Sequence, residues 1–256
     1  MGPVLHDYTV FDLETTGKKI IQIGALKVRA DQTVAKFSTY VNPLEKIQDQ
    51  VTWLTGISNL QTNAAPKIDE VMPDFLDFVG SDTLVGHNIL KFDCNILAHN
   101  GYPVANPKLD TLILAKQCHF LDPIPNVKLS TLKDYYGIKI NSHIAISDCI
   151  TNNIVYQNLR DGKLARATET IDFSPKPVDS RLAGQRFVIT GQFPQATRYE
   201  LVSLINSHGG RVTGSVSGLT DYLLKGQLDH VSGKCRMAEA KGTTIIDYQG
   251  LLDLLE

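Results

Sequence analysis

No run of apolar residues in this 256-residue chain approaches the roughly 20 that a helix needs to span a bilayer, so no membrane-spanning helix is predicted. Cysteine is scarce. Cys94, Cys118, Cys149 and Cys235 stand far apart with no Cys-x-x-Cys pair, which argues against a zinc site or a disulfide framework and fits a reducing cytoplasm. An excess of basic charge is missing too: 25 Lys and Arg face 27 Asp and Glu, for a formal net charge of −2. A protein that grips a long duplex uses many basic residues, because phosphate contacts scale with them; a short strand end needs fewer. The amino terminus has no signal-peptide pattern, since strand-like sequence with Asp7 and Asp12 begins almost at once. His6 stands where a myristoylation signal needs Ser or Thr.

Three short segments carry the chemistry. In Tyr8-Thr9-Val10-Phe11-Asp12-Leu13-Glu14, β-branched and aromatic residues predict a strand, ended by the turn-forming Gly17. Residues i and i+2 of a strand share a face. Asp12 and Glu14 therefore point one way, and Phe11 and Leu13 point into apolar packing on the other. Two carboxylates on one buried face repel each other unless a cation lies between them, and Mg²⁺ or Mn²⁺, hard ions that take oxygen ligands, suit that place. The second segment, Thr83 to Asn88, reads as a short strand leading into a helix with Ile89, Phe92, Ile96 and Leu97 near helical spacing, which puts Asp93 in the first turns. The third runs from Asn141 through His143 into a helix over 145–159. Residues five apart on a helix lie about 140° apart, so His143 and Asp148 can face one site only if His143 precedes the first turn.

These segments resemble the three exonuclease motifs of the four-acidic-residue nuclease superfamily with a histidine, called DEDDh, which includes the proofreading subunits of bacterial replicative polymerases. Asp12, Glu14, Asp93 and Asp148 match its four acids, and His143 matches its histidine in His-x-Ala-x-x-Asp, with Ala145 as the small residue. The likeness runs through residues 6–163 and includes Ile20 to Ala25, Val41-Asn42-Pro43, Leu54 to Ile57, Leu109 to Leu112 and Lys128 to Leu132. Two departures stand out. Gln22 occupies a place where an acidic residue is common, and three residues separate Asn88 from Phe92 where proofreading subunits usually have two.

The resemblance implies a ribonuclease H-like α/β fold, with a mixed sheet and flanking helices, and a metal-dependent 3′-to-5′ exonuclease. The implied cofactors are two Mg²⁺ or Mn²⁺ ions. Asp12 would bridge the ions, Glu14 and Asp148 would complete the shell on the side of the attacking water, and Asp93 would bind or orient metal-bound water. His143, with an ordinary pKa of about 6.5, would be the general base. Thr15, Thr16, His87 and Asn88 are substrate-binding candidates, although His87 beside Asn88 at a strand end also suits a structural hydrogen-bonding role. DNA with single-stranded 3′ ends is the expected substrate. An RNA-trimming exonuclease and a catalytically idle binding module are the alternatives, since discrimination by the 2′-hydroxyl depends on packing around the terminal sugar.

Residues 164–180 read as a linker, with Pro175 and Pro177 one residue apart and few apolar neighbours. Residues 181–256 then alternate: strand 186–190, helix 198–208 closed by Gly209-Gly210, strands 211–213 and 221–224, helix 234–241, strand 243–247 and helix 248–255. This order implies a small, mainly parallel sheet covered by helices. The unit resembles a BRCT domain through Thr190-Gly191, Gly209 to Val212 and Ser232-Gly233-Lys234. In the phosphate-binding subset of such domains a hydroxyl and backbone N–H at a strand–helix turn act with a lysine at a helix start, and Thr190, Gly191 and Lys234 match. Arg198 matches a position seen in BRCT domains that bind 5′-phosphorylated DNA ends. The implied partners are such an end or a replication or repair protein.

Overall fold

The strand expected from Tyr8 is β1 (Tyr8–Thr16), the centre of the first of two units in a computed structural model that describes residues 4–140, 143–173, 178–228 and 231–256, except for the Tyr199 side chain. Asn141-Ser142, the Ser174–Pro177 part of the expected linker and Met1-Gly2-Pro3 lie outside the described residues. β1 is followed by β2 (Lys19–Arg29) and β3 (Gln32–Tyr40) in an antiparallel meander. After α1 (Asp49–Thr55), α2 (Asn59–Asn63) and α3 (Ile68–Val79) come β4 (Leu84–Gly86), α4 (Asp93–His99) and β5 (Lys108–Asp110). β4 lies parallel to β1, and β5 parallel to β4. The mixed sheet has the order β3-β2-β1-β4-β5. It is completed by α5 (Thr111–Lys116), α6 (Leu129–Tyr135), β6 (Ile138–Lys139), α7 (Ala145–Arg160) and β7 (Ile171–Asp172).

The alternation read from β1 sorts its residues onto two cores. Phe11 and Leu13 pack with Ile20, Ile23, Phe75 and Leu97 on one face, where the Phe75 ring meets both Phe11 and Phe37 at centroid distances of 5.7 Å. Tyr8 and Val10 pack on the other with Leu26, Val28, Cys149 and Tyr156. Each such side chain contributes roughly 1.5–3 kcal/mol when fully buried. α7 covers this second face, the one to which Asp12 and Glu14 belong.

The chain divides into two compact units, residues 1–55 with 65–173 and residues 56–64 with 174–256. Residues 164–173, expected to begin the linker, pack within the first unit. The Leu164 carbonyl accepts from Leu121 N at 2.9 Å and from the Tyr135 hydroxyl at 2.8 Å, β7 runs parallel to β6, and the Arg166 guanidinium lies 5.1 Å from the Tyr135 ring centroid. The stretch has little apolar content of its own, yet strand pairing satisfies its backbone and Leu164 joins the cluster around Tyr135 and Leu159.

Besides α2, the second unit holds β8 (Arg186–Thr190), α8 (Arg198–Ser207), β9 (Arg211–Thr213), β10 (Tyr222–Lys225), α9 (Gly233–Lys241), β11 (Thr244–Ile246) and α10 (Tyr248–Asp253). Its four strands pair in parallel in the order β11-β10-β8-β9. Phe187 and Ile189 pack with Leu201, Ile205 and Leu251 on one face; Val188 and Leu223 meet Cys235 and Ala238 of α9 on the other. Among the described residues no helix is long and apolar enough to cross a membrane.

Candidate active site

Register places the first two carboxylates. In the β1–β2 pair Asp12 lies opposite Gly24 and Glu14 opposite Gln22, so all four positions share the face that α7 covers. A Cβ on Gly24 would come within 2.5 Å of the Ala145 carbonyl carbon and the Ile146 nitrogen. Only glycine allows the helix start to lie so close to the strand. Gln22 is 4% exposed, and its Oε1 accepts from Ala145 N at 3.0 Å. One turn later the Cys149 thiol donates to Gly24 O at 3.2 Å. The partnership of Gln22 with α7 was not visible in the sequence, where the residue marked only a departure from the family pattern.

α7 begins two residues after His143, as the five-residue spacing to Asp148 requires. His143 has φ 63°, in the left-handed region, and its backbone N–H donates to Asp148 Oδ2 at 2.8 Å. That bond folds the His143 segment back over the first turn. A carboxylate oxygen of Glu14, one of Asp148 and a ring nitrogen of His143 lie within 4.8 Å of one another. Glu14 is half-buried, Asp148 is buried, and His143 is exposed.

Asp93 enters from the other side. It is the first residue of α4, later than the expected helix start, because residues 87–92 form a turn in which Asn88 takes φ 67°. The Asp110 carboxylate holds that turn, accepting from Asn88 N at 3.0 Å and Leu90 N at 3.3 Å while it caps α5 through Leu112 N at 3.0 Å. Asp93, 2% exposed, accepts from Leu13 N at 3.1 Å through Oδ1. Its carboxyl therefore meets the backbone between Asp12 and Glu14.

These carboxyls resist ionising together. Burial first, then the charges of Asp93, Asp148 and Glu14, pushes Asp12 well above the ordinary carboxylate range. Burial and the charges of Asp148 and Asp93 bring Glu14 up to about 8. Burial brings Asp93 to about 7 against the pull of its backbone hydrogen bonds, and burial also raises Asp148. Such a cluster holds protons or a cation. Its hard carboxylate oxygens make a donor set that fits a divalent ion, with the His143 imidazole at the rim.

The four substrate-binding candidates differ in their surroundings. Thr15 is half-buried. Thr16 is buried and accepts from Gln48 N through Oγ1 at 3.4 Å. His87 shares a 3.0 Å hydrogen bond with the Thr111 hydroxyl, which donates to Asn152 Oδ1 at 2.6 Å, and burial lowers the His87 pKa. These bonds tie His87 into a structural network, and Asn88 is held by Asp110 as described. The roles of Asp110 and Asn152 in shaping the site were not visible in the sequence, because the partners Asn88, Leu90 and Thr111 lie twenty or more positions away.

In the second unit Thr190 ends β8, with its hydroxyl 3.2 Å from that of Ser232. Gly191 has φ 85°, and a Cβ there would lie 2.7 Å from Gln227 O. Arg198 Nη1 and Lys234 Nζ both donate to the same carbonyl, Ile189 O, at 2.8 and 3.1 Å. Burial, then the Arg198 charge, lowers the Lys234 pKa. Among the described residues neither cation forms an ion pair.

Residues 9–156 match the family model for exonucleases, and residues 177–255 match that for the BRCA1 C Terminus (BRCT) domain. Over 152 residues the chain is 40% identical to DNA polymerase III PolC-type of Clostridium perfringens, covering 56% of this chain and 10% of that protein. It is 34% identical over 149 residues to the Bacillus subtilis DNA polymerase III PolC-type, covering 53% and 10%. The chain thus spans about a tenth of the length of these relatives. Among solved structures, Exonuclease X in complex with 5′ overhanging duplex DNA matches at a TM-score of 0.52 with 22% identity, over 60% of this chain and 92% of that one. The nuclease domain of 3′hExo, a DEDDh family member bound to rAMP, matches at 0.51 with 19% identity, over 65% and 98%. At such identities these likenesses concern the fold. With the exonuclease model covering more than half of its length, this chain belongs to the exonuclease family, with a BRCT domain following the exonuclease region.

Proposed function

We propose that the protein removes nucleotides from single-stranded 3′ ends of DNA, using two Mg²⁺ or Mn²⁺ ions held by Asp12, Glu14, Asp93 and Asp148 and a proton acceptor at His143. The observation that carries this reading is the approach of Glu14, Asp148 and His143 to within 4.8 Å beside the carboxyls of Asp12 and Asp93, which their mutual burial makes hard to ionise. Asp12, Glu14, Asp93 and Asp148 would hold the ions, Glu14 and Asp148 on the side of the attacking water and Asp93 binding or orienting the water of an ion. Bound there, the ions supply Lewis-acid stabilisation of the charge that builds on the phosphodiester. His143 takes a proton from the attacking water as that oxygen bonds to phosphorus and the bond to the 3′ oxygen breaks; that 3′ oxygen takes a proton from solvent and stays on the shortened strand as its 3′-hydroxyl, and a nucleoside 5′-monophosphate is released. The exposed His143 ring can pass the proton on to solvent. Thr15, Thr16 and Asn88 are assigned to the terminal sugar and base, and His87, bonded to Thr111, supports the turn beside them.

DNA is favoured by the polymerase III relatives and by the DNA complex of Exonuclease X. RNA is the second reading, supported by neighbours described with rAMP and with a histone mRNA stem-loop. Digestion of matched labelled DNA and RNA oligonucleotides, single-stranded and duplex, separates them. Release of 5′-mononucleotides from the 3′ end of single-stranded DNA, with Mg²⁺ or Mn²⁺ and not with EDTA, is the expected result. Faster loss of the RNA strand would transfer the assignment to RNA, and cleavage in EDTA would overturn the metal assignment.

For the BRCT domain we assign Thr190, Gly191, Arg198 and Lys234 to a terminal 5′-phosphate on DNA, a role that positions the exonuclease at ends. Two cations without a carboxylate partner among the described residues, beside a hydroxyl and a helix start, are what a phosphate requires. The full chain in EDTA is expected to bind a 5′-phosphorylated duplex more tightly than its 5′-hydroxyl counterpart by anisotropy at fixed salt, and Lys234→Ala to remove the preference. Equal binding of both duplexes would assign the domain to a replication or repair protein instead.

A further inference from the structure

α7 begins two residues after His143 and carries Asp148 without a side-chain cap of its own. Its N-cap, Ile144, has no side chain that can accept a hydrogen bond. The N–H groups of Ser147 and Asp148 find the Ile144 carbonyl at 2.8 and 3.0 Å. Ala145 N–H instead finds a partner on β2, the Gln22 amide oxygen at 3.0 Å. Gln22 sits opposite Glu14 in the strand register, and Ala145 sits between His143 and Asp148 in the chain. A single buried amide thus ties the segment bearing His143 and Asp148 to the strand position facing Glu14.

Two neighbouring features make this contact a ruler for position as well as a cap. Gly24 lets α7 slide close to β2 and does not choose where along β2 the helix stops. The Cys149 thiol bond to Gly24 O, at 3.2 Å to sulfur, is a weak one. The Gln22 contact is directional and nearly sealed from water, so it sets the stop.

We propose that Gln22 is a positioning residue for the exonuclease reaction, setting the separation of Glu14 from Asp148 and His143 through the N–H of Ala145 and so governing how tightly that side of the centre holds its metal ion. The inference rests on the assignment of Glu14 and Asp148 as ligands made above. Its test uses the full chain with Gln22→Leu, which removes the acceptor, and Gln22→Glu, which keeps it. Mn²⁺ binding is followed without nucleic acid by the electron paramagnetic resonance signal of free Mn²⁺, and kcat and KM are measured on a single-stranded DNA oligonucleotide.

In Gln22→Leu the Mn²⁺ concentration for half-saturation is expected to rise by about 10- to 100-fold, the range found when a partner behind a metal ligand is removed. kcat falls while KM for the oligonucleotide stays unchanged, and Gln22→Glu restores Mn²⁺ affinity and kcat. A Gln22→Leu protein that loses thermal stability yet binds Mn²⁺ like the wild type would reduce Gln22 to a structural cap and overturn the proposal, as would failure of Gln22→Glu to restore binding. Should Gln22→Leu fail to fold, Gln22→Met, which keeps side-chain length without the acceptor, replaces it. A wild-type protein that neither binds Mn²⁺ nor hydrolyses the strand would overturn the function proposed above, a different outcome from wild-type behaviour in the variants.

Discussion

His143 holds a left-handed backbone conformation that non-glycine residues adopt infrequently, with φ 63°, and the bond from its N–H to Asp148 stabilises that conformation. The side chain therefore leaves the chain in a defined direction while the ring stays in solvent. Replacing it by Ala removes the proton acceptor and keeps every carboxylate. A loss of hydrolysis within the roughly 10² to 10⁴ of an absent general base is expected, with Mn²⁺ affinity close to that of the wild type. Affinity falling as far as when a carboxylate ligand such as Asp12 is lost would instead make His143 a ligand or a support. For Asp12 itself, Asp12→Asn keeps the shape and removes a charge that burial and three neighbouring carboxyls oppose. Hydrolysis should be lost, and in EDTA at pH 8 the variant should melt at a higher temperature than the wild type. A lower melting temperature would mean that the Asp12 charge is compensated without metal. The meeting of Glu14, Asp148 and His143 was legible because residue type and spacing carry it; the Gln22 contact was not, because its partner lies 123 positions away.

At the scale of elements, the approach of α7 to β2 decides whether the centre exists. The side chain of Gly24→Ala would collide with backbone atoms of α7, which cannot rotate aside as a side chain can. Overpacking of this kind costs about 1–3 kcal/mol, so a lower melting temperature is expected, together with a larger half-saturating Mn²⁺ concentration as α7 is pushed from β1. Unchanged stability and metal affinity would show that the helix finds another seat. α7 and β1 were readable from periodicity to within a residue or two, since each has a long buried face. The start of α4 was not. The apolar residues at 89 and 92 suit a helix, but the Asp110 carboxylate captures the N–H groups of Asn88 and Leu90 and holds a turn until Asp93. Residues 164–173 escaped for a related reason: their order comes from pairing with β6 and from Tyr135, which no local pattern announces.

For the whole molecule, the carboxyl cluster links folding to pH and metal in the first unit only. Glu14 rises from an ordinary value near 4.5 to about 8 and Asp93 from near 3.8 to about 7, so in the metal-free protein the folded state binds protons that the unfolded chain has released. The stability this contributes is complete below the unfolded values, near pH 4, and is lost as pH rises through 7 and 8, by an amount on the order of a few kcal/mol. A cation bound by the ionised carboxylates reverses the loss, because a ligand that binds only the folded state stabilises it. The second unit has its own core around Phe187 and Leu201 and contains none of these carboxyls. Calorimetry of the full chain in EDTA is therefore expected to show two transitions, one of which moves to lower temperature between pH 6 and pH 9 and returns upward with Mn²⁺ while the other stays in place under Mn²⁺. A single transition, or two that respond equally to Mn²⁺, would mean that the units unfold as one body; a metal-free first unit that grows more stable toward pH 9 would mean that its carboxyls ionise freely and that no cation is needed to hold them together.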